Sequence, residues 1–175
     1  MAAVQLETER LTMRLPVDAD LDGWAAFDSD AQATLFFGGA KSRAESWELL
    51  CSVAGMWALR GCGLFSVFEK GSGRWIGRVG PWKPEGATAE IGWAILPSAW
   101  GRGYATEAAQ AAIGWAINSL GWKEICHCID AENAASIRVA EKLGARWLRA
   151  DHDARGKLTQ VYGQSAGQWQ AYNRK

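Results

Sequence analysis

Apolar and polar positions alternate from Leu6 to Leu15, with Leu11, Met13 and Leu15 on one side of a predicted strand and Thr12 and Arg14 on the other. Pro16 ends it. The spacing then becomes helical from Asp18 to Asp28, where Leu21, Trp24, Ala25 and Phe27 supply the apolar positions. After a break at Phe37-Gly38-Gly39, a longer helix is predicted from Ser42 to Arg60. Ser42 and Glu45 form a capping box, and Trp47, Leu50, Val53, Ala54 and Trp57 follow one face, until Gly61 and Gly63 stop it. Gly63 to Lys70 and Arg74 to Pro81 read as a hairpin turned by Gly71-Ser72-Gly73, and Trp82 to Gly86 as the following loop.

Glu90 to Leu96 is apolar enough for an interior strand, closed by Pro97 and Ser98. A helix from Arg102 to Ser119 stops at Gly121, and a strand from Lys123 to Asp130 follows. A second helix runs from Asn133 to Gly144. Ala145 to Asp151 and Lys157 to Gly163 form the last two strands, turned by Asp153-Ala154-Arg155-Gly156. Hairpins followed by strand-helix-strand-helix imply an α/β (α+β) fold, a mixed and mostly antiparallel sheet of about six or seven strands with helices on both faces. The crossover through Arg102 to Ser119 should make its flanking strands parallel.

With 175 residues, 49% hydrophobic and 22% charged, residues 1–175 fit a single domain with an adequate core. The 19 basic and 19 acidic residues cancel, which gives no support to a nucleic-acid or anionic-membrane partner. No run reaches membrane-spanning length and MAAVQLETER lacks a signal-peptide core, so a cytoplasmic location is expected. Cys51, Cys62, Cys126 and Cys128 lack metal-ligand spacing and read as reduced, mostly buried thiols, so no metal is expected. Eleven tryptophans are unusual for this length: some must be core, and others can line a concave site. A monomer or a homodimer fits equally.

Gly101 and Gly103 free the backbone of Cβ atoms between the Glu90–Leu96 strand and the next helix, so several N–H groups can converge at a positive helix end. Such a seat suits phosphate. No G-K-S/T follows the glycines, which argues against a nucleotide-triphosphate loop. Trp100 to Ala105, W-G-R-G-Y-A, resembles the pyrophosphate loop Q/R-x-x-G-x-G/A of the GCN5-related N-acetyltransferases (GNAT), with Trp100 where Gln or Arg is usual. The longer W-G-R-G-Y-A-T-E-A resembles the ribosomal-protein N-terminal acetyltransferase (RimJ/RimL-like) branch. N-A-A-S-I-R-V-A-E-K-L-G-A, from Asn133 to Ala145, is similar to the second motif of the family, with Asn133, Ser136 and Ala140 on one helix face.

The resemblance implies acetyl-CoA as cofactor, CoA as product, and an amine acceptor that is a small molecule or a peptide. It implies splayed central strands that admit the pantetheine arm near Ile95 and Leu96, and a diphosphate held by Trp100, Gly101, Arg102, Gly103, Tyr104, Ala105 and Thr106. Many relatives carry a tyrosine acid where Ala140 stands. Ser136 is the nearest hydroxyl on that face, and Asn133 orients the cofactor arm beside it. Glu90, in A-E-I-G-W, resembles the glutamate that serves as base in histone-acetylating relatives, and Trp82 and Trp93 nearby would raise its pKa by desolvation. Glu107 reads as structural. His127, alone in an apolar strand, reads as a core residue with a lesser claim as a base. Phe36 to Ala40, Trp47 with Trp57, and Trp82 to Gly86 are the expected acceptor walls. No cysteine lies in either motif, so direct attack in a ternary complex is expected. The alternative is a non-catalytic acyl-CoA-binding or sensing module.

Overall fold

The alternation of residues 6 to 15 folds back on itself. In the computed structural model, which describes residues 4–83, 89–153 and 155–174, β1 (Gln5–Glu7) pairs antiparallel with β2 (Leu11–Arg14), Leu6 facing Met13. Two strands therefore replace the single expected one. Thr8 makes the turn: its Oγ1 accepts from the Leu11 N–H at 2.9 Å, and its own N–H donates to the Leu11 carbonyl at 3.0 Å. A side chain that satisfies turn amides locally can end a strand without disturbing the apolar alternation.

A 3-10 turn over Asp18–Asp20 leads into α1 (Leu21–Ser29). α2 (Arg43–Arg60) starts on the expected box, with Ser42 Oγ accepting from the Glu45 N–H at 3.3 Å and the Glu45 carboxylate accepting from the Ser42 N–H at 2.7 Å. It ends at Gly61, whose φ of +66° is left-handed. β3 (Phe65–Glu69) and β4 (Trp75–Trp82) form the expected hairpin, and β5 (Glu90–Ile95) pairs with β4 from Trp82↔Glu90 to Gly77↔Ile95. These strands make one sheet in the order β1-β2-β3-β4-β5.

α3 (Tyr104–Leu120) then carries the chain to β6 (Glu124–Asp130). α4 (Ala134–Lys142), β7 (Arg146–His152), β8 (Leu158–Ser165) and α5 (Ala166–Tyr172) follow, and the second sheet has the order β6-β8-β7. Every ladder is antiparallel. Among the described residues β5 and β6 share no ladder, so the expected splay is complete and parts the strands into two sheets. α5 is absent from the sequence reading. Its seven residues are too few for a periodic signal, but Ser165 and Gln168 form a capping box that marks its start, with N–H bonds of 3.2 and 2.8 Å.

Helices cover both faces of the first sheet. Phe65 meets Trp57 of α2 and Trp115 of α3 with ring centroids 4.8 and 5.4 Å apart. Its neighbour Ser66 points the other way and accepts from Trp24 of α1 at 3.1 Å. Beside it Arg78 holds Asp28 through bonds of 2.7 and 3.1 Å, and its guanidinium lies 4.5 Å from the Trp24 ring and 4.9 Å from Phe27. Trp57 donates to the Leu64 carbonyl at 3.0 Å and is buried, so it belongs to the core and not to an acceptor wall. Helical spacing identifies the apolar face of α2 but not what covers it. All four cysteines are free. Cys62 is buried and Cys126 half-buried, whereas Cys51 and Cys128 are exposed, contrary to the expectation of mostly buried thiols.

Candidate active site

The turn between β5 and α3 depends on two glycines. Gly101 and Gly103 adopt φ of +73° and +80°, a region that costs a residue with a Cβ about 1–2 kcal/mol. Gly103 is the N-cap of α3, and among the described residues no side chain caps it. Among the described residues nothing accepts a hydrogen bond from the N–H groups of Gly101, Arg102, Gly103, Tyr104, Ala105 or Thr106. The first engaged amide is that of Glu107, which donates to the Gly103 carbonyl at 3.1 Å. A row of open amides at the positive end of a 17-residue helix is chemically an anion seat.

Side chains brace this seat from below. Tyr104 is buried, with the guanidinium groups of Arg10 and Arg102 4.6 and 4.8 Å from its ring and its hydroxyl bonded to Glu69. Hydrogen bonds from Ser72 and Tyr104 hold the Glu69 carboxyl down at about 2, and Arg102 pairs with it at 2.8 Å. Arg102 therefore stands beside the seat with its charge already matched. Glu107 takes the Arg10 N–H at 2.9 Å and its Nε at 2.7 Å, together with the Thr8 hydroxyl at 2.5 Å, which ties the first hairpin to α3. Arg10 is missing from the sequence reading, because nothing near position 10 signals a partner 97 residues away.

At the C-terminal end of β5 the Trp100 indole N–H donates to the Ile95 carbonyl at 2.6 Å. The next amide, Leu96 N–H, turns to β4 and donates to the Ile76 carbonyl at 2.9 Å. Of these neighbours, Leu96 thus completes the first sheet. Ile95 presents its carbonyl away from β4, where the two sheets part.

At the other end of β5 lies a cavity of about 110 Å³ lined by Phe36, Phe37, Glu90, Trp93, His127 and Ser136, among others. Glu90 Oε2 accepts from the Cys128 N–H at 2.8 Å, so a side chain spans the gap that a ladder would otherwise fill. Burial pushes the Glu90 carboxyl above the usual range, partly offset by that amide. His127 is buried at 1% exposure, with Nδ1 2.8 Å from the Ile91 carbonyl and its ring 4.9 Å from Trp93. Nδ1 therefore carries the proton and donates it to that carbonyl, and burial pulls the imidazole down to about 4, so it is neutral near pH 7. Although Cys128 as a residue is exposed, partial desolvation of its thiol, then the charge of Glu90, lift that thiol to about 12, far from a reactive thiolate.

Ser136 completes this wall. Its Oγ accepts from the Trp93 indole N–H at 3.2 Å, which leaves the hydroxyl proton free to donate elsewhere. Asn133 caps α4, with its Oδ1 accepting the Ser136 N–H at 3.0 Å. A cap of this kind is worth about 1 kcal/mol and fixes where the first turn of α4 points. Ala140 is fully buried against Ile129 and Ala145, so no hydroxyl reaches the cavity from that position. The fold thus gathers Glu90, Ser136 and Asn133 at one cavity and residues 100–106 at one helix end. Trp93, which links His127 to Ser136, has no sequence signal beyond the surplus of tryptophans. The Trp82–Gly86 wall lies outside the described residues over Pro84–Gly86, and Trp82 closes β4. Among the described residues no group of three or more His, Cys, Asp or Glu is placed to hold a metal ion, and no helix is long and apolar enough to cross a membrane.

The chain as a whole resembles known proteins. Residues 10–146 fit the acetyltransferase (GNAT) domain family. The uncharacterized protein YkkB of Bacillus subtilis (strain 168) is 32% identical over 159 residues, 85% of this chain and 88% of its own length. The uncharacterized N-acetyltransferase YoaA of the same bacterium is 25% identical over 143 residues, 79% of this chain and 81% of its own length. Among solved structures, an acetyltransferase from Agrobacterium tumefaciens str. C58 superposes with a TM-score of 0.83 at 27% identity, with 94% of this chain and 95% of that chain covered.

Proposed function

We propose, for a chain that belongs to the GNAT family of acetyl-CoA-dependent N-acetyltransferases, that Glu90 and Ser136 serve opposite ends of one acetyl transfer to a primary amine, either a protein N-terminus or a small-molecule amine. The observation that carries this reading is their meeting at one cavity where β5 parts from β6. Acetyl-CoA supplies the acyl group as a thioester. Its diphosphate fits the open amides of residues 101–106, which have no other acceptor among the described residues. The W-G-R-G-Y-A-T-E-A string further supports the ribosomal-protein N-terminal acetyltransferase branch.

A protonated amine has no lone pair, so the acceptor must shed a proton before it attacks the thioester carbonyl. Glu90 receives that proton, directly or through one water. Its raised pKa makes it a stronger base than an exposed glutamate. Ser136 turns its free hydroxyl proton toward the departing sulfur. A thiol with a pKa of about 8.5 leaves readily, so the donor assists without being indispensable. Cys128 lines the cavity, and with its thiol pushed up to about 12 it does not act as a covalent relay. Phe36 and Phe37 give the acceptor side an apolar wall, and Asp130 beside them is already matched by Lys157 at 2.5 Å. That surface favours an amine on an apolar group over a polycation.

The test follows free-thiol release from acetyl-CoA across peptides with open N-termini, small primary amines and polyamines. Turnover is expected with at least one of the first two classes. Ser136→Ala loses a hydrogen bond to a charged atom worth about 1.5–3 kcal/mol, so its kcat should fall roughly ten- to a hundredfold. CoA bound tightly with no thiol released from any amine would favour the sensing module, and an unchanged kcat in Ser136→Ala would remove that residue from the chemistry.

A further inference from the structure

β7 is the outermost strand of its sheet, and all seven of its residues, Arg146–His152, are exposed. Such an edge leaves a row of N–H and C=O groups open to another strand. It also carries apolar surface: Trp147 is 56% exposed and Leu148 49%, and Leu158, which faces His152 across the hairpin, is 45% exposed. We propose that β7 pairs antiparallel with β7 of a second copy of this chain, with Ala150 on the two-fold axis, joining two three-stranded sheets into one.

Charge selects this register. Residues that face each other across a ladder lie on the same side of the pleat, so a two-fold axis normal to the sheet must put one residue opposite itself. Centring on Arg149 or on Asp151 would set like charges against each other. Centring on Leu148 falls on the irregularity between Trp147 and Arg149, where the register with β8 slips. Centring on Ala150 sets Arg149 of each copy against Asp151 of the other, two opposite-charge pairs, with Leu148 across from His152. Arg149 and Asp151 now meet within one chain at only 3.5 Å, both about half exposed, so little is lost when they exchange partners. The hairpin also reaches the acceptor cavity. Lys157 bonds Asp130 at 2.5 Å and lies 5.7 Å from the Phe36 ring, so the dimer holds one wall of each site.

Sedimentation velocity on the full chain reads the association, with circular dichroism confirming that each variant folds. A dimer of twice the 19.0 kDa chain mass is expected. Arg149→Asp replaces two attractive pairs by two repulsive ones and should raise the dissociation constant about tenfold or more, and adding Asp151→Arg should restore it. Ala150→Cys should form a disulfide-linked dimer on mild oxidation, because facing Cα atoms of an antiparallel pair, about 5.5 Å apart, lie within disulfide reach, whereas Arg146→Cys should not. A wild-type monomer at every concentration, a dimer indifferent to Arg149→Asp, or equal crosslinking through positions 146 and 150 would overturn the proposal.

Discussion

Glu90→Gln lowers kcat by about a hundred- to ten-thousandfold, the range that a positioned proton acceptor contributes, with the KM for acetyl-CoA nearly unchanged. The substitution keeps the shape of the side chain and its acceptance of the Cys128 N–H, so the cavity survives while the base is lost. The pH profile separates a chemical role from a packing role. A carboxyl accepts a proton only when ionised, so the wild-type rate falls as the pH drops through its pKa, which burial raises above the ordinary glutamate value. That acid limb disappears in Glu90→Gln. His127, pulled down to about 4, stays neutral from pH 5 upward and adds no second limb there. A variant that retains the wild-type rate and profile would assign the base elsewhere.

Asp28→Ala destabilises the fold by about 3–5 kcal/mol, the cost of leaving a buried charge without its partner. Arg78 is 4% exposed and Asp28 0%, and their two-point pairing lies between the rings of α1 and the sheet. Arg78 also faces Ala94 in the ladder that carries β5, so its loss loosens the strand that supports the site. For a chain of this length the melting temperature should fall by roughly 6–20 °C, readable by circular dichroism. Arg78→Met should cost a similar amount, since it strands Asp28. The apolar double replacement Asp28→Leu with Arg78→Met should recover most of the loss, because neither charge is then left unpaired. A shift below 2 °C in either single variant would mean that water reaches the pair.

What the sequence disclosed was local. The Ser42–Glu45 box, the left-handed Gly61 and Gly121, and the Gly71-Ser72-Gly73 hairpin are decided by residues within a few positions of one another, and each stands where it was read. The division of the first strand into β1 and β2 was hidden because Thr8 satisfies the turn without breaking the apolar alternation. α5, at seven residues, is too short to show a helical period. Contacts across the chain carry no such mark: Arg10 with Glu107 and Trp93 with Ser136 join segments that only the fold brings together. Trp57, read as a wall, lies in the core because a helical stripe does not reveal its neighbour. The glycine loop was legible as a turn, and the structure adds that its amides lack acceptors among the described residues.

Acetyl transfer at this site depends on those amides and on the parting beside them. A crystal structure of the protein with CoA measures both at once. The diphosphate is expected within hydrogen-bond distance of the N–H groups of residues 101–106, the pantetheine arm between β5 and β6 with its sulfur near Ser136, and the Trp100 indole moved off the Ile95 carbonyl where the arm needs it. CoA bound elsewhere, with β5 and β6 drawn together along their length, would contradict it.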